Sequence, residues 1–339
     1  MSGVRHAVIT GTGSYVPNRV LTNADLAARL GVEIEPFVSQ TLGIRERHVC
    51  GPDESTADLA DHAARRALDA AGLAATDIDL LIVATDTPEF ISPATSSVVQ
   101  GRIGATNAGT FDVNSGCAGY VTALDIAAKY IRADERYRRI LVVGAYAMSK
   151  FIDYDDKKTC TIFADGAGAT VVELGDEPGV LASELFADGS FACGMGVFAG
   201  GTAEPITEEV LRAGQRNRLR FVEKYPKEIN EDGWPRISRS VLDRIGRDVG
   251  EVDLWLWTQV NLSTIRIVMD KLGVPMERAH TVMAKWGYTG AACLPMALDD
   301  AVRAGRLHDG DLVMLTGSGA GLSMGTVALE WHSRGETPQ

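Results

Sequence analysis

Short apolar runs punctuate the chain. Residues 7–11, 80–84, 140–144, 170–174, 254–257, 312–316 and 326–331 are dense in Val, Ile and Leu and mostly lack polar alternation. Strands covered by helices on both faces read this way, because neither face meets water. Between the runs the periodicity becomes helical. Over residues 57–71, Leu59, Ala63 and Ala67 form a stripe of small apolar side chains. Ser55 and Asp58 occupy the positions of a capping box, and Gly72 supplies the stop. Strand and helix alternate, which predicts the α/β class.

The pattern repeats. A shift of 174 positions lays IDLLIV (78–83) on VDLWLW (252–257) and ALD (123–125) on ALD (297–299). The same shift lays SGCA (115–118) on TGAA (289–292), so each half carries a small-residue turn entering a helix and only the first carries a thiol there. The ends ATVVEL (169–174) and GTVALE (325–330) also match, at another offset. Two duplicated halves are expected, 1–175 with the thiol and 176–339 without it. Residues 186–250 have no echo and read as a surface layer of helix and loops.

Composition narrows the partners. The 339 residues carry a net charge of −12, which argues against a nucleic-acid or anionic-membrane partner, since both require a basic face. No stretch approaches the ~18 apolar residues of a spanning helix. The first strand-like run starts without the basic and apolar regions of a signal peptide, so a cytoplasmic location is expected. Five scattered cysteines and six dispersed histidines offer neither a disulfide framework nor a metal set. Metal: none is the expectation.

Three glycine clusters need weighing. Gly11-Thr12-Gly13 lacks the third glycine of a dinucleotide fingerprint, and Gly166-Ala167-Gly168 and Gly317-Ser318-Gly319 lack the Lys-Ser/Thr of a phosphate loop. The latter two read as tight turns. Cys117 is different, because small residues flank it at the start of a helical run through Ala123, Ala127 and Tyr130. A helix N-terminus favours thiolate and lowers the pKa. Spacing alone leaves a buried core cysteine as good a reading as a nucleophile.

Six blocks break that tie by resemblance: GTGSYVP (11–17), LGIRER (42–47), FDVNSGCAG (111–119), FADGAGA (163–169), QVN (259–261) and ALDDAVRAG (297–305). In this order, over nearly the whole chain, they resemble the β-ketoacyl-acyl-carrier-protein synthase III family of the thiolase superfamily. The resemblance implies a duplicated thiolase-like αβαβα five-layer fold, a homodimer and Cys117 as the acyl-accepting nucleophile. It also implies an oxyanion hole from the backbone N–H groups of Cys117 and Ala320. No resident cofactor is implied: the phosphopantetheine thioester of an acyl carrier protein or of coenzyme A is itself the substrate. Phe37 stands where the family often has a Trp on the adenine. Thr41 replaces an arginine beside that ring, and Ser263 a basic residue that meets the carrier protein.

The departures bear on chemistry. Thr258 stands at the place of the family's catalytic His and Tyr288 at that of its catalytic Asn, the pair that holds a malonyl thioester oxygen during decarboxylation. Both replacements keep a hydroxyl, yet neither is a base at neutral pH. His280 and His308 are weak substitutes, the one opening a strand-like run and the other in a turn. Cys160 and Cys293 read as core thiols. Trp257, Trp286, Asn261 and Ser92 are candidate wall residues, with interlayer packing as the alternative for the tryptophans. The expected function is acyl transfer from Cys117, without decarboxylation, to an oxygen, nitrogen or acidic carbon. The setting is polyketide-type specialised metabolism, ring-forming release such as tetronate formation included. Decarboxylative condensation and a non-catalytic subunit are the alternatives.

Overall fold

The computed structural model describes residues 4–212 and 217–333. Its first sheet runs His6–Tyr15, Asp165–Gly175, Arg139–Ala147, Leu80–Ala84, Gly109–Val113 in spatial order. Leu80–Ala84 pairs parallel with both neighbours, and the other two pairings are antiparallel. The second sheet runs Val180–Ala187, Ser323–Glu330, Leu312–Gly319, Leu254–Trp257 with the same sequence of antiparallel and parallel pairings. Where the first sheet has its fifth strand, the second has a single parallel bridge between Trp255 and Ala279.

The unalternated apolar runs are explained by two coverings. In the first sheet Leu80, Ile82, Ala84, Ile140 and Val142 point to the central layer, while Leu81, Val83, Leu141 and Val143 point to an outer one. The outer layer holds the helix Thr56–Ala71, whose Ala60, Ala63, Ala64 and Ala67 are wholly buried. Asp58 accepts the Ser55 N–H at 2.8 Å, and Gly72 closes the helix at φ 65°. The central layer holds Gly119–Ala133 and Cys293–Arg303, one from each half. Both carry the same fastening at the repeated Ala-Leu-Asp. Asp299 accepts the hydroxyls of Thr12 (2.8 Å) and Ser14 (2.5 Å) and pairs with Arg303 four residues on. Asp125 accepts Ser183 Oγ and pairs with Lys129.

Residues 186–250 hold the helix Glu228–Ile245, which packs on the second sheet as Thr56–Ala71 packs on the first, burying Trp234, Ile237, Val241 and Leu242. One expectation is corrected: the glycine clusters are not turns. Gly166, Gly168, Gly317 and Gly319 lie inside strands, as do Gly11 and Gly13. A Cβ on Gly168 would stand 2.5 Å from Met296 N and one on Gly13 2.5 Å from Ala67 N, so these glycines let helices seat directly on the sheet.

Candidate active site

The strand Gly109–Val113 ends in a tight turn that presents Cys117. Asn114 Oδ1 accepts the Gly116 N–H at 3.2 Å, Gly116 takes φ 52°, and the Ala118 and Gly119 N–H groups return to Ser115 and Gly116 carbonyls. Only glycine fits at 116, because its conformation is left-handed and a Cβ there would lie 2.9 Å from Ala320 N. Gly319 is equally constrained, since its Cβ would lie 2.3 Å from Cys117 N. The Gly317–Gly319 backbone is thereby pressed against the cysteine turn, and Ser323 Oγ ties to Ser115 O at 2.6 Å.

Cys117 is 3% exposed and sits two residues ahead of its helix. Burial, reinforced by the Asp86 carboxyl, pushes its thiol well above the ordinary range, the reverse of the shift expected from a helix N-terminus. The neighbouring Tyr288 hydroxyl pulls the other way. Tyr288 is held by backbone bonds to Ile162 and Ala164 and by its ring against Phe163, with centroids 5.6 Å apart. Burial raises its phenol well above the ordinary value, so it keeps its proton and donates.

Two cavities meet at Cys117. The larger, about 610 Å³, opens past the exposed Phe37, Lys224 and Lys227 and is lined further in by Thr41, Asn230, Asn261, Tyr288 and Ser318. The smaller, about 260 Å³, is lined by Asp86, Asn114, Tyr146, Met148, Leu219 and Ala320 among others. Among the described residues no histidine lines either one. His280 is turned away, bonded to Asp300 at 2.8 Å, and His308 is exposed beside Asp311. Cys160 and Cys293 are buried thiols with raised pKa, Cys293 to about 12 by burial.

The structure brings Cys117, Tyr288, Ala320, Phe37 and Asn261 to these cavities and leaves other candidates outside. Asn261 Oδ1 is committed to capping the helix Leu262–Leu272 through Ser263 and Thr264. Thr258 lies behind the wall, its hydroxyl oxygen accepting the Ser318 N–H at 3.0 Å. Trp257 is wholly buried between Trp234 and Trp255, with centroids 5.5 and 5.1 Å away, and serves as packing. Trp286 lies under Lys285, whose Nζ is 4.3 Å from the ring, and Ser92 is exposed; neither lines either of these two cavities. Sequence reasoning missed Asp86, which bears no motif, and the Asn230–Ser318–Trp234 chain of hydrogen bonds beside the larger cavity.

Two halves of like topology, with a thiol at the head of the first central helix, define the thiolase-like class of α/β protein. Comparison with known proteins names the family within it. Residues 111–189 match the model for 3-oxoacyl-[acyl-carrier-protein (ACP)] synthase III, and residues 242–331 match that for its C-terminal part. The beta-ketoacyl-[acyl-carrier-protein] synthase III of Syntrophomonas wolfei is 39% identical over 95% of this chain and 97% of its own, and that of Thioalkalivibrio sulfidiphilus 39% over 96% and 99%. Among solved structures, the 3-oxoacyl-[acyl-carrier-protein] synthase III of Aquifex aeolicus superposes with a TM-score of 0.86 at 32% identity, covering 96% of this chain and 100% of its own. The priming β-ketosynthase of the R1128 polyketide pathway gives 0.89 at 30%, covering 98% of each. The chain belongs to the β-ketoacyl-acyl-carrier-protein synthase III family, whose members are acyl-transferring condensing enzymes.

Proposed function

We propose that this chain is an acyltransferase that loads an acyl group from a carrier-protein or coenzyme A thioester onto Cys117 and passes it on without decarboxylation. The observation that carries this reading is Cys117 at the junction of two cavities, with Tyr288 beside it in the larger one and no histidine in either lining among the described residues. In the first step the Cys117 sulfur attacks the thioester carbonyl and the carbon–sulfur bond to the carrier breaks. The carrier leaves as a thiol, taking the proton Cys117 gave up. In the second, an oxygen, nitrogen or acidic carbon of the acceptor attacks the acyl-cysteine, and its proton returns to the Cys117 sulfur.

The roles follow from position. The Cys117 and Ala320 N–H groups serve as the oxyanion hole, since both residues edge the smaller cavity and Ala320 N lies against Gly116. Lys224, Lys227 and Phe37 at the mouth of the larger cavity suit the phosphate and adenine of the carrier arm. Thr258 lines neither cavity, so Tyr288 alone faces the thioester where the resemblance calls for two donors. Removing one preorganised donor costs on the order of 10²–10³ in rate. The polyketide-type setting rests on the likeness to the R1128 priming enzyme. The working unit is a homodimer, supported by the unpaired edge strand Gly109–Val113 and the exposed Phe90 and Ile91 beside it.

Intact-protein mass spectrometry with a panel of acyl-coenzyme A and acyl-carrier-protein thioesters tests the reading. The expected result is an acyl mass shift on the wild type and none on Cys117→Ala, with no carbon dioxide release from malonyl thioester. Carbon dioxide release dependent on Cys117 would instead establish decarboxylative condensation. Failure of every donor to load would leave the chain a non-catalytic subunit.

A further inference from the structure

The smaller cavity contains an anomaly. Its lining mixes the apolar Met148, Val197 and Leu219 with the polar Asn114 and Tyr146, and Asp86 joins them there. Asp86 Oδ1 is fully enclosed and has no hydrogen-bond partner. A carboxyl oxygen removed from water without a donor is among the more costly things a fold can hold, and neutral or charged it needs a partner. Burial pushes this carboxyl up to about 6, and no cation offsets the burial. The residue therefore persists at the cost of stability, which points to a donor that arrives with the ligand.

The geometry fixes what that ligand is. A carrier arm enters from solvent, along the larger cavity past Phe37. When its thioester carbonyl lies at the Cys117 sulfur and the Ala320 N–H, the acyl chain points onward into the smaller cavity. We propose that this cavity selects acyl groups carrying a hydrogen-bond donor, a hydroxyl or an amine, and that Asp86 is the specificity residue that accepts it. The inference rests on Cys117 being the acyl acceptor. A site built to bond a polar group rejects the analogue that lacks it far more strongly than an apolar pocket rejects an extra methyl, because its own polar atom is then left unpaired.

Three donors of one heavy-atom outline make the test: β-hydroxybutyryl-, β-aminobutyryl- and isovaleryl-coenzyme A, followed as mass shifts on Cys117 with time. Wild type is expected to load at least one of the two polar acyl groups about 10-fold or more faster than isovaleryl. The hydroxyl and amine arms show which donor is meant. Asp86→Val is expected to load isovaleryl fastest, and Asp86→Asn to retain the hydroxyacyl group better than the aminoacyl group. Isovaleryl loading as fast as both polar groups in wild type would overturn the proposal, as would an unchanged preference in Asp86→Val. If that variant does not fold, the wild-type ranking decides alone. Loading of other acyl groups with none of these polar ones also overturns it and leaves the acyl-acceptor reading intact. No loading from any thioester removes that reading and this inference together.

Discussion

At the residue scale the site is governed by where four protons sit. Cys117 is held protonated by burial and then by the charge on Asp86, while the Tyr288 hydroxyl opposes them. Tyr146 and Cys293 face the same sulfur and, with thiol and phenol raised by burial, remain neutral around pH 7. The reactive thiolate fraction of Cys117 thus rises with pH well beyond neutrality. Asp86→Asn removes the negative neighbour and is expected to shift the pH profile of iodoacetamide alkylation at Cys117 to lower pH. Tyr288→Phe removes the donor and is expected to shift it higher. A hydrogen bond to a charged group contributes about 1.5–3 kcal/mol, which corresponds to about one to two pH units. Peptide-level mass spectrometry reads the modified fraction, and coincident profiles for wild type and Tyr288→Phe would show that the tyrosine does not bear on the thiol.

At the element scale the duplication is physical as well as textual. The Ala-Leu-Asp echo marks the point where each central helix is fastened to the first strand of the other half through a buried carboxylate. Asp299→Ala strands the Thr12 and Ser14 hydroxyls and frees Arg303, and is expected to cost about 3 kcal/mol. Asp125→Ala, which loses Ser183 and an ion pair with a mostly exposed lysine, costs less. Urea unfolding midpoints check the order, and an unchanged midpoint for Asp299→Ala refutes it. The strands with unbroken Val, Ile and Leu were legible because both faces are dry. The strand Gly109–Val113 was not, since it lies at an edge with one exposed and four half-buried positions. The correspondence of helix Glu228–Ile245 to Thr56–Ala71 was not legible because the former fills its interface with Trp234 and Ile237 where the latter uses alanines. Equivalent packing volume was written in residues that do not align.

At the scale of the whole molecule, sequence and structure divide the site between them. Cys117 stood out only because a resemblance gave its turn a meaning; burial and a tight Gly116 would serve a core thiol equally well. Asp86 carries no sequence mark, since what distinguishes it is the missing partner. The tryptophans drew attention by size, and size sent Trp257 into the core. The same scale decides assembly. Gly109–Val113 leaves one row of backbone groups unpaired, Ile91 is 83% exposed and Phe90 53% exposed. Edge pairing of two copies about a twofold axis would continue the first sheet across the interface and cover both side chains, meeting the need to protect an open edge. Light scattering is therefore expected to give twice the chain mass of 36.2 kDa at micromolar concentration. Ile91→Asp places a charge in that contact and is expected to raise the monomer fraction at least tenfold at equal concentration. Its melting profile at high concentration separates loss of pairing from loss of fold. A monomeric wild type would sink the edge-to-edge dimer, and an Ile91→Asp variant that stays dimeric would move the contact elsewhere.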